Sequence, residues 1–359
     1  MRAARYYGRR DIRVEDVPIP KPGPKQCLIE IAWSGICGSD LHEYVAGPVG
    51  CPPPERPHPL TGGYVPVTMG HEFCGHIRSA PSGSKFKEGQ AVMADPRILC
   101  ADCHSCSTGQ DHTCDQLGFL GISGGEGGGG LSEFVAIDED MLYALPESVN
   151  IDFAALIEPL TVAHHAVKTI NAKLEGLDVL IVGGGPVGYA LACVLRAENV
   201  KSIIVTEPAL KRREQAEAVV DKIIDPRSEN VGEVCRSFTG GKGADVVFDC
   251  AGIQVGLESA FNAIVRGGYF VNVAVWEAPM TIPFWQFFLK EIKVFSSCCY
   301  NKQDFEEVMG LIGRGKFPGY ETMVTDRISI EDVVTKGFEE LVNNKDDHIK
   351  ILVSPRPLS

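Results

Sequence analysis

The segment that most restricts the fold is VLIVGGGPVGYALACVLRAEN, residues 179–199. Four apolar residues suited to a buried strand run straight into Gly183-Gly184-Gly185-Pro186-Val187-Gly188, and a helical pattern follows without a break. A strand, a G-x-G-x-x-G turn and a helix in direct succession make the first βα turn of a dinucleotide-binding sheet. Gly183, Gly185 and Gly188 let backbone approach a pyrophosphate, and Pro186 and Val187 open the helix whose N-terminal amides offset its charge. Glu207 ends the next apolar run, nineteen residues beyond Gly188, where a carboxylate accepts hydrogen bonds from the adenosine ribose. That carboxylate would repel a 2′-phosphate, so the reading favours NAD over NADP. Lys211, Arg212 and Arg213 lie close enough to attract such a phosphate, but are read as a solvated first helical turn, with Arg212 covering the adenine.

The rhythm continues on both sides of this turn. Apolar runs at 179–182, 202–206, 222–224, 245–250 and 269–275 alternate with helical stretches, which means βαβ units in a doubly wound parallel Rossmann sheet. From Arg2 to about Ile151 the pattern is instead short alternating strands cut by Gly and Pro, with Ile29, Ile31 and Trp33 on one face ahead of Gly35. That describes a β-rich domain. Its irregular parts are the proline-laden 51–67 and the GGEGGGG of 124–130, read as a flexible connector. Beyond Lys290 come a strand, an amphipathic helix carrying Phe305, Val308, Met309 and Ile312, and a last strand near 349–353.

Length and charge narrow the partners. The 359 residues suit about two domains, and 34 Lys+Arg against 47 Asp+Glu leave a net charge of −13, which repels nucleic-acid phosphates and anionic lipid. The long uncharged run 179–195 holds four glycines and a proline, so it is no membrane span. Arg2, Arg5, Arg9 and Arg10 are followed by no apolar export segment, so the expected compartment is cytoplasmic, where thiols stay reduced. A small molecule is the expected partner.

Of thirteen cysteines, Cys100, Cys103, Cys106 and Cys114 fall within fifteen residues. Four thiolates at that spacing close on a tetrahedral structural zinc with no open position. A disulfide pair is disfavoured by compartment, and a C-x-x-C redox centre by the lack of a surrounding βαβ unit. His104 and His112 are read as facing solvent. A second constellation is scattered: Cys37 in SGICGSDLH, His71-Glu72 in MGHEFCGH, and Glu158 before Pro159-Leu160. Singly these are a core cysteine, a surface pair and a helix-capping carboxylate. Together they offer one thiolate, one imidazole and one or two carboxylates, enough for a catalytic zinc that keeps a position open. His164 and His165 are read as packing or domain-contact residues, and Cys298-Cys299 as small strand residues lining the Rossmann edge near the nicotinamide rather than a strained vicinal disulfide.

Taken in order, Cys37, Gly70-His71-Glu72, the four-cysteine lobe, Glu158-Pro159-Leu160 and G-x-G-x-x-G resemble the zinc-containing medium-chain dehydrogenase/reductase family across nearly the whole chain. ICGSDLHEY, HPLTG and TMGHEF resemble in particular its subgroup acting on 2,3-butanediol. The resemblance implies a GroES-like β-barrel catalytic domain at 1–155 with a zinc lobe at about 96–116. A Rossmann domain at 156–292 and a C-terminal segment at 293–359 returning to the first domain would complete the chain. It implies two zinc ions per chain, a dimer or tetramer, and hydride transfer between NAD(H) and a vicinal diol or acyloin. Polyol and threonine dehydrogenation are the neighbouring alternatives, and a non-catalytic dinucleotide-binding protein the alternative of a different class. By matching position Cys37 and His71 ligate the catalytic zinc, with either Glu72 or Glu158 coordinating directly. Ser39 takes the alcohol proton and His42 passes it to solvent. GGEGGGG and the proline-rich loop depart from the family pattern where substrate-facing loops are expected.

Overall fold

Asp178–Val182 and Ser202–Thr206 are buried at every position, as strands covered on both faces must be. In the computed structural model, which describes residues 1–356, they form the centre of a six-stranded parallel sheet. Its order is Lys222–Ile224, Ser202–Thr206, Asp178–Val182, Ala244–Asp249, Ile264–Asn272 and Lys293–Ser296. Numbered along the chain this is 3-2-1-4-5-6, the dinucleotide-binding arrangement, whose strand order reverses beside the glycine turn. Leu180, Val182, Ile204, Val247, Phe261 and Phe270 share one core beneath it.

The chain divides into two units. One comprises 159–300 with 315–323, and holds this sheet. The other comprises 1–158, 301–314 and 324–356. The returning segment therefore begins at 301 rather than 293, because Lys293–Ser296 completes the parallel sheet against Ile264–Asn272. Residues 315–323 also pack with the sheet-bearing unit, where Tyr189 Oη and Thr322 Oγ1 are 2.6 Å apart. Residues 357–359 of the expected segment lie outside the described residues.

In the other unit Gln26–Gly35 pairs with Glu72–Ser79, with Phe134–Asp138 and with the returning strand Lys350–Ser354. Cys27, Ile29 and Ile31 are buried in alternation. The alternation stops at a register shift between Ile31 and Trp33, so Trp33 leaves that face and donates its Nε1–H to Asp152 at 2.9 Å. Gly35 lies opposite Glu72 on one side and Leu352 on the other, which brings three distant stretches of sequence to one place. The glycines of 124–130 form no loose connector: a Cβ on Gly129 would lie 2.3 Å from the Thr68 carbonyl, and one on Gly130 2.7 Å from Phe73 Cβ. At Gly129 and Gly130 neighbouring chain fills the space a Cβ would need.

Candidate active site

The helix Gly38–Ala46 starts at Cys37, whose backbone N–H donates to Asp40 Oδ2 at 2.9 Å. This capping contact fixes the fully buried Asp40, and its other oxygen faces His71 Nδ1 at 3.3 Å. The opposite ring nitrogen, Nε2, lies 3.2 Å from Ser39 Oγ. Cys37, His71 and Glu72 each bring a donor atom within 4.8 Å of the others. Burial pushes the His71 imidazolium down, but Asp40 and Cys37 outweigh it and hold its pKa well above the usual histidine value. Ser39 is exposed and His42 half-buried three residues along the same helix, hence on the same side.

Glu72 has a second partner. Lys350 Nζ donates to both of its carboxylate oxygens at 2.7 Å and to the Ile36 carbonyl at 3.2 Å, with both side chains 1% exposed. Gly35 makes this crossing possible, since a Cβ there would lie 2.1 Å from Glu72 Oε2. Burial would lower the Lys350 ammonium, and Glu72, Cys37 and Glu158 reverse that and raise its pKa. Glu158 is buried in the first turn of the helix Ile157–Lys168.

In the four-cysteine lobe the donor sulfurs also lie within 4.8 Å of one another. Cys100 N–H points at Cys114 Sγ, Cys103 N–H at Cys100 Sγ and Gln116 N–H at Cys114 Sγ, each at 3.4 Å, the amide shell that stabilises thiolates. The antiparallel pair Arg97–Ile98 and Gly118–Phe119 closes the base of the lobe. Arg97 ties it down, reaching Asp95 at 2.7 Å and Asp111 at 2.9 Å from a side chain 1% exposed. His104 is exposed and His112 half-buried.

At the glycine turn Gly183 has φ +100°, and a Cβ on Gly188 would lie 1.9 Å from the Gly183 carbonyl oxygen. Gly185 is the N-cap of Pro186–Ala197, Pro186 takes its first turn, and no side chain caps the amides there. Glu207 is buried, and its oxygens accept Gly184 N–H at 2.9 Å and Ala209 N–H at 2.8 Å. Arg212 stands over the turn, its Nη1 3.5 Å from where a Gly185 Cβ would be. Arg213 is no free phosphate ligand: it pairs with Asp225 at 3.2 Å and donates to the Glu207 carbonyl.

Residues 23–147 match the family model of the alcohol dehydrogenase GroES-like domain, and 186–314 that of the zinc-binding dehydrogenase. The chain is 38% identical to (R,R)-butanediol dehydrogenase of Neisseria gonorrhoeae, covering 99% of each chain. It belongs to the zinc-binding alcohol dehydrogenase family. The crystal structure of 2R,3R-butanediol dehydrogenase from Bacillus subtilis superposes with a TM-score of 0.91 at 35% identity, covering 99% of both chains. Sorbitol dehydrogenase of Bacillus subtilis is 30% identical over 99% of this chain and 97% of that one.

For a zinc-binding dehydrogenase, sequence reasoning missed two residues at the donor cluster. Asp40 carried a usable signal, as the carboxylate three residues after the cysteine that opens a helix. Lys350 carried none locally. It stands in a buried strand far along the chain, and only the register against Gly35 delivers it to Glu72.

Proposed function

We propose that this member of the family is a zinc- and NAD-dependent secondary alcohol dehydrogenase acting on vicinal diols and acyloins of the 2,3-butanediol and acetoin type. The observation that carries the reading is the cluster of the half-buried Cys37 thiol with the buried His71 imidazole and Glu72 carboxylate, a donor set that suits zinc. The substrate class rests on the full-length similarity to butanediol dehydrogenases. We assign Cys37 and His71 as ligands of the catalytic ion, with Glu72 or Glu158 as the carboxylate: Glu72 brings an oxygen to both other donors while it holds Lys350, and Glu158 is buried in the first turn of its helix. Cys100, Cys103, Cys106 and Cys114 are proposed to hold the structural ion.

Zinc supplies Lewis acidity that favours the deprotonated alcohol, and the nicotinamide supplies the hydride acceptor. Asp40 holds the His71 ring in one orientation through Nδ1, leaving Nε2 for the metal. Ser39 Oγ, beside His71, would take the substrate hydroxyl proton while giving up its own, which His42 on the same helix face would pass towards solvent. The uncapped amides after Gly185 bind the pyrophosphate, while Glu207 takes the ribose and disfavours a 2′-phosphate. The engagement of Arg213 with Asp225 also supports NAD.

We read the chain as a homo-oligomer. Phe284, Trp285 and Phe288 are about 70% exposed, and Val294 is exposed on the edge strand Lys293–Ser296, so an apolar patch adjoins an unpaired strand edge. We read the setting as cytoplasmic, where thiols stay reduced and free to ligate a metal. NADH formation across the 2,3-butanediol isomers, sorbitol, xylitol, threonine and simple secondary alcohols tests the substrate assignment. The expected result is highest kcat/KM with a vicinal diol and NAD. A preference for sorbitol or xylitol moves the enzyme to polyols, and a preference for NADP overturns the role of Glu207.

A further inference from the structure

Cys298 and Cys299 lie outside both zinc clusters and the glycine turn. They follow Lys293–Ser296, the last strand of the parallel sheet, and so stand at its carboxyl rim. Neighbouring side chains on a strand point to opposite faces. Here the strand has ended and Cys299 takes φ +52°, a left-handed value unusual for a residue with a Cβ. The two sulfurs end up 3.5 Å apart, with Cys298 exposed and Cys299 half-buried. The expectation of two ordinary strand residues is thereby replaced by a preformed pair of thiols.

We propose that Cys298 and Cys299 form a dithiol site for a soft, thiophilic metal or metalloid centre, the class to which trivalent arsenic belongs. A disulfide between adjacent residues closes a strained ring, whereas a bridging atom enlarges the ring by one member and spans the two sulfurs as they stand. A hydrogen bond from Cys299 brings the Cys298 thiol down to about 6, against the opposing effect of burial and with help from His165. Cys298, exposed at the rim, is the more accessible of the two sulfurs. Burial pushes the thiol pKa of Cys27, Cys51, Cys74, Cys193, Cys235 and Cys250 the other way.

Phenylarsine oxide is the probe. Two As–S bonds form, the As–O double bond is lost, and its oxygen leaves as water with the two thiol protons, so nothing is oxidised or reduced. The zinc-loaded full-length protein is treated with one equivalent, its intact mass and zinc content are measured, and the adduct is mapped to a peptide. A single phenylarsenic group bridging Cys298 and Cys299, with zinc content unchanged, is expected. It should be removed by a dithiol, resist a monothiol, and be lost in both Cys298→Ser and Cys299→Ser. An adduct mapped to other cysteines, one accompanied by zinc release, or one persisting in either variant overturns the proposal. Mapping on the wild-type protein decides the matter without either variant.

Discussion

Lys350→Met removes an ammonium that meets both oxygens of Glu72 at 2.7 Å, where each side chain is 1% exposed. The methionine keeps most of the apolar stem, so the change acts mainly on charge. At an effective dielectric of about 20 the lost attraction is about 6 kcal/mol, part of which is returned because a buried ammonium no longer has to be desolvated. Breaking a buried pair from one side costs about 3–5 kcal/mol. The companion variant Lys350→Met/Glu72→Gln leaves no unpaired charge and should recover most of that loss, ending within about 1–2 kcal/mol of wild type. Trp33 reports on the unit concerned, and Trp276→Phe with Trp285→Phe removes the two tryptophans of the other unit. Urea unfolding of zinc-loaded protein followed at Trp33 gives the midpoint shift, provided the slope is unchanged. A cost below about 1 kcal/mol for Lys350→Met, or additive costs in the double variant, refutes the reasoning. Loss of one zinc ion in the double variant would show Glu72 to be a metal ligand rather than the lysine's partner.

Asp40→Asn removes the carboxylate that orients His71, and zinc affinity at the catalytic site should fall about 10–100-fold in competition with a chelator; unchanged affinity would remove Asp40 from the site. Gly188→Ala places a Cβ 1.9 Å from the Gly183 carbonyl, so the helix must shift and fluorescence titration should show NADH binding lost in a folded protein. Asp178 offers a pH test. Burial raises its pKa, but the hydrogen bonds from Ser202, Lys242 and Lys201 reverse this and leave it below the usual carboxylate value. Its stabilisation is thus present above the unfolded pKa and disappears as pH falls through the lowered folded one. Asp178→Asn should lower the melting temperature at pH 7 and lessen its decline between about pH 5 and 3; an unaltered acid slope counts against it.

The parallel sheet was legible because its strands are buried on both faces and appear as unbroken apolar runs punctuated by helices. The zinc lobe was legible because its four donors are close in sequence. Features created by pairing between distant strands were not. Lys350 reaches Glu72 across Gly35, and nothing within its own strand marks it. The glycines of 124–130 suggested looseness, whereas contacts with Thr68 and Phe73 make them a tight crossing. Cys298-Cys299 were expected in a strand that the chain ends at Ser296, and the left-handed turn at Cys299 follows from no local signal. The start of the returning segment shifted for a related reason: Lys293–Ser296 is exposed at most positions, as an edge strand is, yet belongs to the parallel sheet.

The central claim is that Cys37 supports turnover through a metal distinct from the one in the four-cysteine lobe. Its most direct test is NADH formation from a 2,3-butanediol by the zinc-loaded wild type and by Cys37→Ser, with zinc counted in both. The account predicts turnover with two ions in the wild type, and one ion with no turnover in a folded Cys37→Ser. Wild-type turnover in Cys37→Ser would contradict it.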